Sequence, residues 1–501
     1  MHLGRPLNLS PLDSAQETPT AMTVTDVQVR FGRRSNRGLI LGFSAPRVTV
    51  LGIAVSLAVA GLIIDNAIGL VLSAALWAPF GATAFVRIGG RPAIEWAGPA
   101  LRYGTRKTAG QDQYRASHPL RPRPAGTLAL PGDAAALRLH RDEASGAVMI
   151  HDPHRQTLTA VASVSHPAFV LLDTEDRSSR VGRWGRVYAS LAQTGTCAAI
   201  QVLEAAVPDP ATGQTEWYQA RGTHDGGWAD HQYRSLLDQV RLAAGTHRTT
   251  VSLSLDMRAA SRAIKAAGRG VMGAAEVLRG DMASLTDSLR QAGLGVGGWM
   301  SESELAAVVR GAYDPASALD PRSDPGANLS HAGPMAMSEH WDRIRHDSGW
   351  STVLWISEWP RIEVAADFLH SIVFAPGVRR SLSIIARPLP TDVALRQIRK
   401  EKTGAVADMN HKQKIGQVSD LSDSQEYEDL LERERSVVAG HTDVEFAGLV
   451  TVTAADLEGL EAARAQITRA AAQAACEVRP LYGHQAQGFV CSALPLARSC
   501  F

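Results

Sequence analysis

Two apolar runs near the amino terminus set the architecture: VTVLGIAVSLAVAGLII over Val48–Ile64 and AIGLVLSAALWAPFGATAFV over Ala67–Val86. Neither run holds a charged residue. As helices they would be about 26 and 30 Å long, which matches the ~30 Å hydrocarbon core of a bilayer. Asp65-Asn66 between them is a turn signal. The pattern predicts a hairpin of two transmembrane helices within residues 38–90.

Basic residues flank the two runs on both sides, whereas the turn between them carries none. Because loops rich in arginine and lysine stay in the cytoplasm, both termini are predicted to be cytoplasmic. The predicted location is therefore the inner (cytoplasmic) membrane. A pair of buried core helices is the alternative, although two charge-free runs of this length are uncommon in soluble domains. The flanking residues are Arg30, Arg33, Arg34, Arg37 and Arg47 before the runs, and Arg87, Arg91, Arg102, Arg106 and Lys107 after them.

The overall composition excludes several function classes. The chain has 501 residues and a net charge of +1, which argues against a protein that coats nucleic acid. We expect no direct sequence-specific binding of nucleic acid. A P-loop needs a lysine directly after a glycine, and none of the six lysines follows one. The chain is therefore not a P-loop ATPase by itself. The four widely spaced cysteines are expected to be buried free thiols.

An aromatic and basic segment follows the apolar runs. Trp96 and Tyr103 stand among arginines, a combination typical of a helix that lies at a membrane interface. A plain linker helix is the alternative. Four prolines within residues 116–132 indicate an extended connector.

The rest of the chain predicts an α+β fold. Strand and helix signals follow one another in the order of a ferredoxin-like (split βαβ) unit, and they do so twice. The first unit is predicted to begin with strand 168–172 and to end with strand 293–299. The second begins with strand 352–357, ends at 477–482, and contains an inserted helical hairpin made of helices 391–414 and 423–439.

The predicted organisation has six parts. They are a disordered basic amino terminus (1–37), the transmembrane helical hairpin (38–90), an interfacial helix with a Pro-rich connector (91–132), a first α+β cytosolic domain (133–311), a linker (312–332) and a second α+β cytosolic domain (333–501).

The sequence offers no candidate catalytic, cofactor-binding or metal-binding residue. Gly293–Gly298 matches GxGxxG, but it follows a helix, whereas a dinucleotide fingerprint must close a strand and open a helix. His151-Asp-Pro-His154 is predicted to be a turn between strands rather than a metal site. His331, His340 and His346 with Asp347 form a second, looser group. We therefore predict a protein that is not an enzyme and needs no cofactor. A membrane-tethered enzyme whose site only the fold assembles stays open as an alternative.

The predicted helices 391–414 and 423–439 are dense in charge. One interpretation is a solvated surface stabilised by weak ion pairs. The other is a projecting helical pair that docks a partner protein.

Seven short motifs spread along the chain resemble an actinobacterial family of conjugation-associated membrane proteins. That family looks like a fusion of a PrgI-like transmembrane hairpin with a region that resembles the ATPase-free amino-terminal part of the type IV secretion ATPase. The motifs are Arg33-Arg34 with Arg37-Gly38, His151-Asp-Pro-His154, Gly182-Arg-Trp-Gly185, Ala312-Tyr-Asp-Pro315, Ala332-Gly-Pro-Met335, Ser357-Glu-Trp-Pro-Arg361 and Gln485-Ala-Gln487.

The resemblance implies a non-enzymatic scaffold in a type IV-like secretion or conjugative transfer machine. The implied partners are the inner membrane, a separate secretion ATPase and other translocon subunits, and a homo-oligomer is left open. The alternative is an EccE-like component of a type VII secretion membrane complex, which shares an amino-terminal hairpin and a cytoplasmic domain of similar size.

Overall fold

The computed structural model describes most of the chain. Of the amino terminus predicted to be disordered (1–37), the structure describes residues 28–29 alone, and these two form a short strand instead. About half of the Pro-rich connector and about half of the predicted linker also lie outside the described part. The described ranges are 28–29, 44–88, 91–116, 126–166, 171–208, 212–243, 245–316, 328–414 and 421–499.

The amino-terminal part consists of apolar helices followed by an amphipathic one. Among the described residues, one helix, Ala45–Leu72, is long and apolar enough to cross a membrane by length and composition. The bounds of the two apolar helices meet at Ser73. The elements are β1 (Gln28–Val29), α1 (Ala45–Leu72), α2 (Ala74–Phe85), β2 (Arg87–Ile88), β3 (Arg91–Pro92), α3 (Ala93–Thr108) and β4 (Gln113–Arg115).

Helix α1 is nevertheless interrupted at the predicted turn. Asp65 and Asn66 have non-helical backbone angles, and the φ of Asn66 is 48°. A Cβ atom placed on Gly61 would lie 2.8 Å from the carbonyl oxygen of Gly69. In an unbroken helix these two glycines would be about 12 Å apart along the axis. The backbone therefore bends sharply between them, and glycine permits the close approach.

The first half of the remaining chain begins with a short 3-10 helix, Gly132–Ala136. Its elements are β5 (Arg138–Arg141), β6 (Val148–Asp152), β7 (Thr157–Ser165), α4 (Thr174–Thr194), β8 (Cys197–Pro208), α5 (Thr212–Arg221), α6 (Trp228–Ala243), β9 (Gly245–Asp256), α7 (Ser261–Ala266), α8 (Gly270–Gln291), β10 (Gly295–Trp299) and α9 (Glu302–Tyr313).

The second half also begins with a short 3-10 helix, Leu329–His331. Its elements are β11 (Ala336–Glu339), β12 (Ile344–His346), β13 (Gly349–Glu358), β14 (Val364–Ala365), α10 (His370–Val373), β15 (Arg379–Pro388), α11 (Thr391–Lys414), α12 (Leu421–Val438), β16 (Val444–Ala454), α13 (Leu457–Gln473), β17 (Glu477–Pro480) and α14 (Gln485–Ala493).

Thirteen strands form one antiparallel sheet in the order β4-β11-β12-β13-β16-β15-β8-β9-β7-β6-β5, with β10 paired to β7 and β17 paired to β13. Within the first half, the order β10-β7-β9-β8 is that of a split βαβ unit, and β17-β13-β16-β15 repeats it in the second half. The α+β class is therefore observed. The first unit starts with β7, not with the predicted strand 168–172, of which residues 168–170 lie outside the described part.

The two halves repeat each other element by element. In each, a 3-10 helix and two short strands precede the four-stranded unit, and a helix, α9 or α14, follows its last strand. A helical pair is inserted after the second strand of both units, α5–α6 in the first and α11–α12 in the second. The sequence predicts such an insertion in the second unit alone. Helix α5 is not predicted, because residues 212–221 show little apolar periodicity.

The halves are joined edge to edge. Strand β8 pairs with β15 from Ile200↔Ala386 to Ala206↔Arg380, so the sheet continues from one half to the other. The end of α14 and the residue after it lie across this junction, where Gln201 donates to the carbonyl oxygens of Cys491 and Leu494. One continuous sheet therefore runs through both halves. The predicted boundaries of two separate cytosolic domains stay a prediction.

Helices cover both faces of the sheet. On one face, α4 and α8 pack on the first half, and α10 and α13 pack on the second. On the other face, α9 and α14 form a core in which the rings of Tyr313 and Phe489 lie 4.9 Å apart. The pattern arises because alternate residues of each strand face opposite sides.

Candidate functional site

The amphipathic helix α3 joins the apolar helices to the sheet through a cluster of aromatic rings. Trp96 lies 4.9 Å from Tyr482 in edge-on geometry and 6.2 Å from Trp341, between ring centroids. Tyr103 lies 5.4 Å from Trp341. Such spacings are in the favourable range for aromatic pairs. Trp96 and Tyr103 are seven residues apart and share one helix face, so this face of α3 is packed on the second half.

A buried ion pair fixes the far end of the same helix. Arg106 lies 3.1 Å from Glu339, whose side chain is only 2% exposed. Arg106 also donates to the carbonyl oxygen of Gly483, and Glu339 accepts a bond from the backbone of Ala486. Burial raises the pKa of the Glu339 carboxyl, and the neighbouring Arg106 acts against that rise. The pair ties α3 to β11 and to the start of α14.

Contacts at the start of α3 hold the two ends of the apolar segment together. The Ser44 hydroxyl, just before α1, donates to Glu95 at 2.9 Å. Arg91 lies over the ring of Trp355 in β13, 6.0 Å from its centroid. Strand β1 precedes α1, yet it pairs with β14 of the second half, with Gln28 opposite Ala365. The segment before the apolar helices and the segment after them therefore both contact the second half.

One side of this site is predicted from the sequence, whereas the other is not. Trp96, Tyr103 and the basic residues near them form a local pattern of aromatic and basic side chains. Trp341, Tyr482 and Glu339 lie more than 200 residues further along the chain. They occur in short connections and strand ends with no periodicity, so only the fold brings them to α3.

The His151-Asp-Pro-His154 motif runs from the last residues of β6 into the turn that leads to β7, so the predicted turn is present but begins at Pro153. Asp152 accepts hydrogen bonds from the backbone nitrogens of His154 and Arg155 at 3.0 and 3.1 Å. Its other oxygen lies 3.2 Å from Arg498, so the turn is tied to the end of the chain. Burial, with a contribution from Arg138, lowers the pKa of His151.

Among the described residues, the second histidine group does not form a cluster of metal ligands either. His346 is buried, and its Nδ1 donates to the carbonyl oxygen of Tyr313 at 2.6 Å. Its Nε2 therefore accepts from the Ser351 hydroxyl, 2.7 Å away. Burial lowers the pKa of His346 to about 4. His340 instead lies beside Trp350, 5.6 Å between ring centroids.

The GxGxxG match and the cysteines have structural positions rather than positions in a site. The glycines of the GxGxxG match lead from α8 into strand β10, and a Cβ on Gly295 would collide with Ser165. Cys476 and Cys491 are buried free thiols as expected, and Cys197 is partly buried. Within the described ranges, no three His, Cys, Asp or Glu residues are grouped as a metal site would require.

Two ion pairs connect the helices of the α11–α12 pair, and a third ties α12 to the residue before β16. Lys402 pairs with Glu434 at 2.7 Å. Arg433 pairs with Glu401 at 2.9 Å and with Asp443 at 2.5 Å. These contacts favour the interpretation of the charge as a stabilised surface. The predicted bounds of the first helix are confirmed, and those of the second differ by two residues at one end and one at the other.

Comparison with known proteins gives one family match. The model of the family described as "EccE: Putative type VII ESX secretion system translocon, EccE" matches residues 243–356. The match runs from the end of α6, through α8 and α9, into β13, and so includes parts of both halves. No curated protein matches the chain. The similarity is to a component of a membrane secretion system. It agrees with the alternative that the sequence left open and gives no support to the PrgI-like, type IV resemblance.

Proposed function

We propose that this protein is a non-enzymatic membrane component of a type VII-like secretion translocon. In this proposal a two-helix hairpin holds the duplicated cytoplasmic sheet at the inner membrane, and other subunits, including a separate ATPase, dock on that sheet. The observation that carries the proposal is the match to the EccE translocon family over residues 243–356, in a chain with an apolar helix of membrane-spanning length.

The backbone supports the hairpin. The interruption at Asp65-Asn66 and the close approach of Gly61 to Gly69 favour a chain that turns back near the middle of the apolar segment. Apolar side chains around it are exposed, among them Ile63 and Ile64 at 79% and 82%. Exposed apolar surface of this extent fits lipid rather than water. Small residues where the two arms approach each other are typical of membrane helix pairs.

The positions of the hairpin ends support two crossings. Gln28 pairs with the second half before the apolar segment begins, and Glu95 contacts the start of α1 after it ends. If the segment is in a membrane, both of its ends lie on the side of the sheet. An even number of crossings follows, and the arginines on both flanks favour the cytoplasmic side.

The proposal is tested by purifying the tagged full-length protein from gently solubilised membranes and identifying co-purified proteins by mass spectrometry. We expect other type VII core subunits, including their ATPase. The matched control is Val55→Asp with Leu76→Lys, at two exposed positions near the middle of the two proposed arms, which should break membrane insertion and lose these partners.

Two outcomes would contradict the proposal. Recovery of a relaxase and type IV coupling components would favour the conjugative scaffold. A protein that co-purifies with nothing and stays monodisperse in detergent would argue against both secretion functions.

A further inference from the structure

A short stretch between β9 and α8 concentrates positive charge on the surface of the first half. We call residues 257–275 the basic segment, because they hold four basic residues and no Asp or Glu. The four side chains are all exposed, and they are Arg258, Arg262, Lys265 and Arg269. The basic segment therefore has a charge of +4, whereas the whole chain has a net charge of +1.

Apolar residues of the basic segment hold its backbone in place and leave the charges outside. Ala260 and Ile264 are 2% and 6% exposed and belong to the core of the first half. Arg262 and Lys265 are three residues apart on the short helix α7, so they share one face of it. Because the buried residues fix α7 against the sheet, this face presents its two cations to the surroundings.

The charges of the basic segment are not used inside the protein. Within the described ranges, none of its four basic side chains forms an ion pair with a carboxylate. The carboxylates that flank the segment have other partners. Asp256 accepts from the backbone nitrogens of Arg258 and Ala259, and Glu276 pairs with Arg279. The surface of the basic segment therefore keeps a positive charge that an anionic partner would complement.

The basic segment lies at the end of the sheet to which the apolar helices are attached. Strand β9 ends at Asp256, and the pairing through β8, β15 and β16 puts this end level with the end of β13. Near that end, Trp355 of β13 contacts Arg91, which follows the apolar helices, and β14 pairs with β1 before them. Four strand spacings, about 19 Å, separate β9 from β13. If the hairpin spans a bilayer, this end of the sheet is the one nearest to it.

We propose that the basic segment binds the headgroups of anionic phospholipids, so that the first half contacts the membrane in which the second half is anchored. This rests on the proposed membrane hairpin. The occupant follows from charge complementarity and from the position of the segment, since a cluster of about four or more Lys and Arg residues beside a membrane span attracts anionic lipid. Met272, three residues after Arg269, is 71% exposed and supplies an apolar side chain for the headgroup layer.

The test uses full-length protein in nanodiscs of equimolar phosphatidylcholine and phosphatidylglycerol. A benzophenone amino acid replaces Met272, and the lipids that it captures on illumination are identified by mass spectrometry. We expect phosphatidylglycerol to predominate. Each basic residue near an anionic surface favours binding about five-fold, so Arg262→Gln with Lys265→Gln should lower the preference by up to about 25-fold. Arg262→Lys keeps the charge and should keep the preference.

Matched controls separate this preference from net charge and from the hairpin. Arg399→Gln with Lys400→Gln removes the same charge from exposed positions of α11 and should leave the ratio at position 272 unchanged. The same probe at Ile64 reports on the hairpin. At Leu457, where α13 begins at the opposite end of the sheet, the probe should capture no lipid.

Equal capture of both lipids at position 272, or none there with capture at position 64, would overturn the proposal for the basic segment. Crosslinks from position 272 to a second copy of the chain, in place of lipid, would assign this surface to a protein contact and overturn it as well. No lipid at either position would overturn the membrane hairpin itself. The failure of the lipid site and the failure of the hairpin are therefore distinguishable.

Discussion

The two halves of the sheet have the same strand order but different surroundings. In the first half, α4 has 21 residues and covers its sheet face together with α8. Its counterpart α10 has four residues. The contacts of the apolar segment and α3, in contrast, are with residues of the second half, among them Trp341, Trp355 and Tyr482. One topology therefore serves two purposes, and the second half attaches the proposed membrane anchor.

The inserted helical pairs of the two halves also differ in the contacts that hold them together. Ion pairs connect α11 with α12, and a small apolar cluster that includes Ile398 and Val437 packs beneath them. The α5–α6 pair is held by a network around Asp230, which accepts from Tyr218 and Arg234, while Trp217 and Trp228 are exposed. After a duplication, strand order is kept because each strand must pair with its neighbours, whereas surface helices are free to change.

The largest expected difference between the halves concerns their charged contacts. Glu339→Ala leaves Arg106 without its carboxylate in a largely buried site, and we expect unfolding to become easier by about 3–5 kcal/mol. Arg141 pairs with Glu302 in the first half, but its side chain is 66% exposed. Arg141→Gln should therefore change the free energy of unfolding much less than Glu339→Ala does. Denaturant unfolding of the detergent-solubilised protein measures both. Equal effects would show that α3 is not anchored by Glu339.

A smaller difference between the halves is expected in how much folding stability each loses as the pH falls. The pKa of His346 is about 4 in the folded protein, below the ~6.5 of an unfolded chain. Unfolded protein therefore binds the proton first as the pH falls. The contribution of His346 is complete above about pH 6.5 and is lost toward pH 4, by about 3 kcal/mol in total.

Thermal unfolding at about pH 7 and about pH 4.5 measures this loss. His346→Gln should lose less stability between the two pH values than the unmodified chain does. His151, on the corresponding strand of the first half, is less buried, so His151→Gln should keep most of the pH dependence. The same slope in all three proteins would contradict the assigned role of His346.

Local patterns in the sequence were enough to predict much of the fold. Alternating apolar residues predicted most strands, and amphipathic spacing predicted most helices. The two apolar runs divided by Asp65-Asn66 predicted the hairpin. The pairing of β8 with β15 could not be predicted, because Val202 and Ile384 meet only when the two units lie side by side. The same holds for the site, where Trp341, Tyr482 and Glu339 carry no signal until α3 packs on them.

The proposed membrane hairpin fixes on which side of the membrane each segment lies. Single cysteines are placed at Gln28, Asn66 and Glu458 in a variant whose native cysteines are serines, and a membrane-impermeant maleimide is applied to inverted inner-membrane vesicles. Two crossings predict that positions 28 and 458 react from the outside of these vesicles, while position 66 reacts only after the membrane is opened. Labelling of all three positions in intact vesicles, or protection of position 28 or 458, would contradict the account.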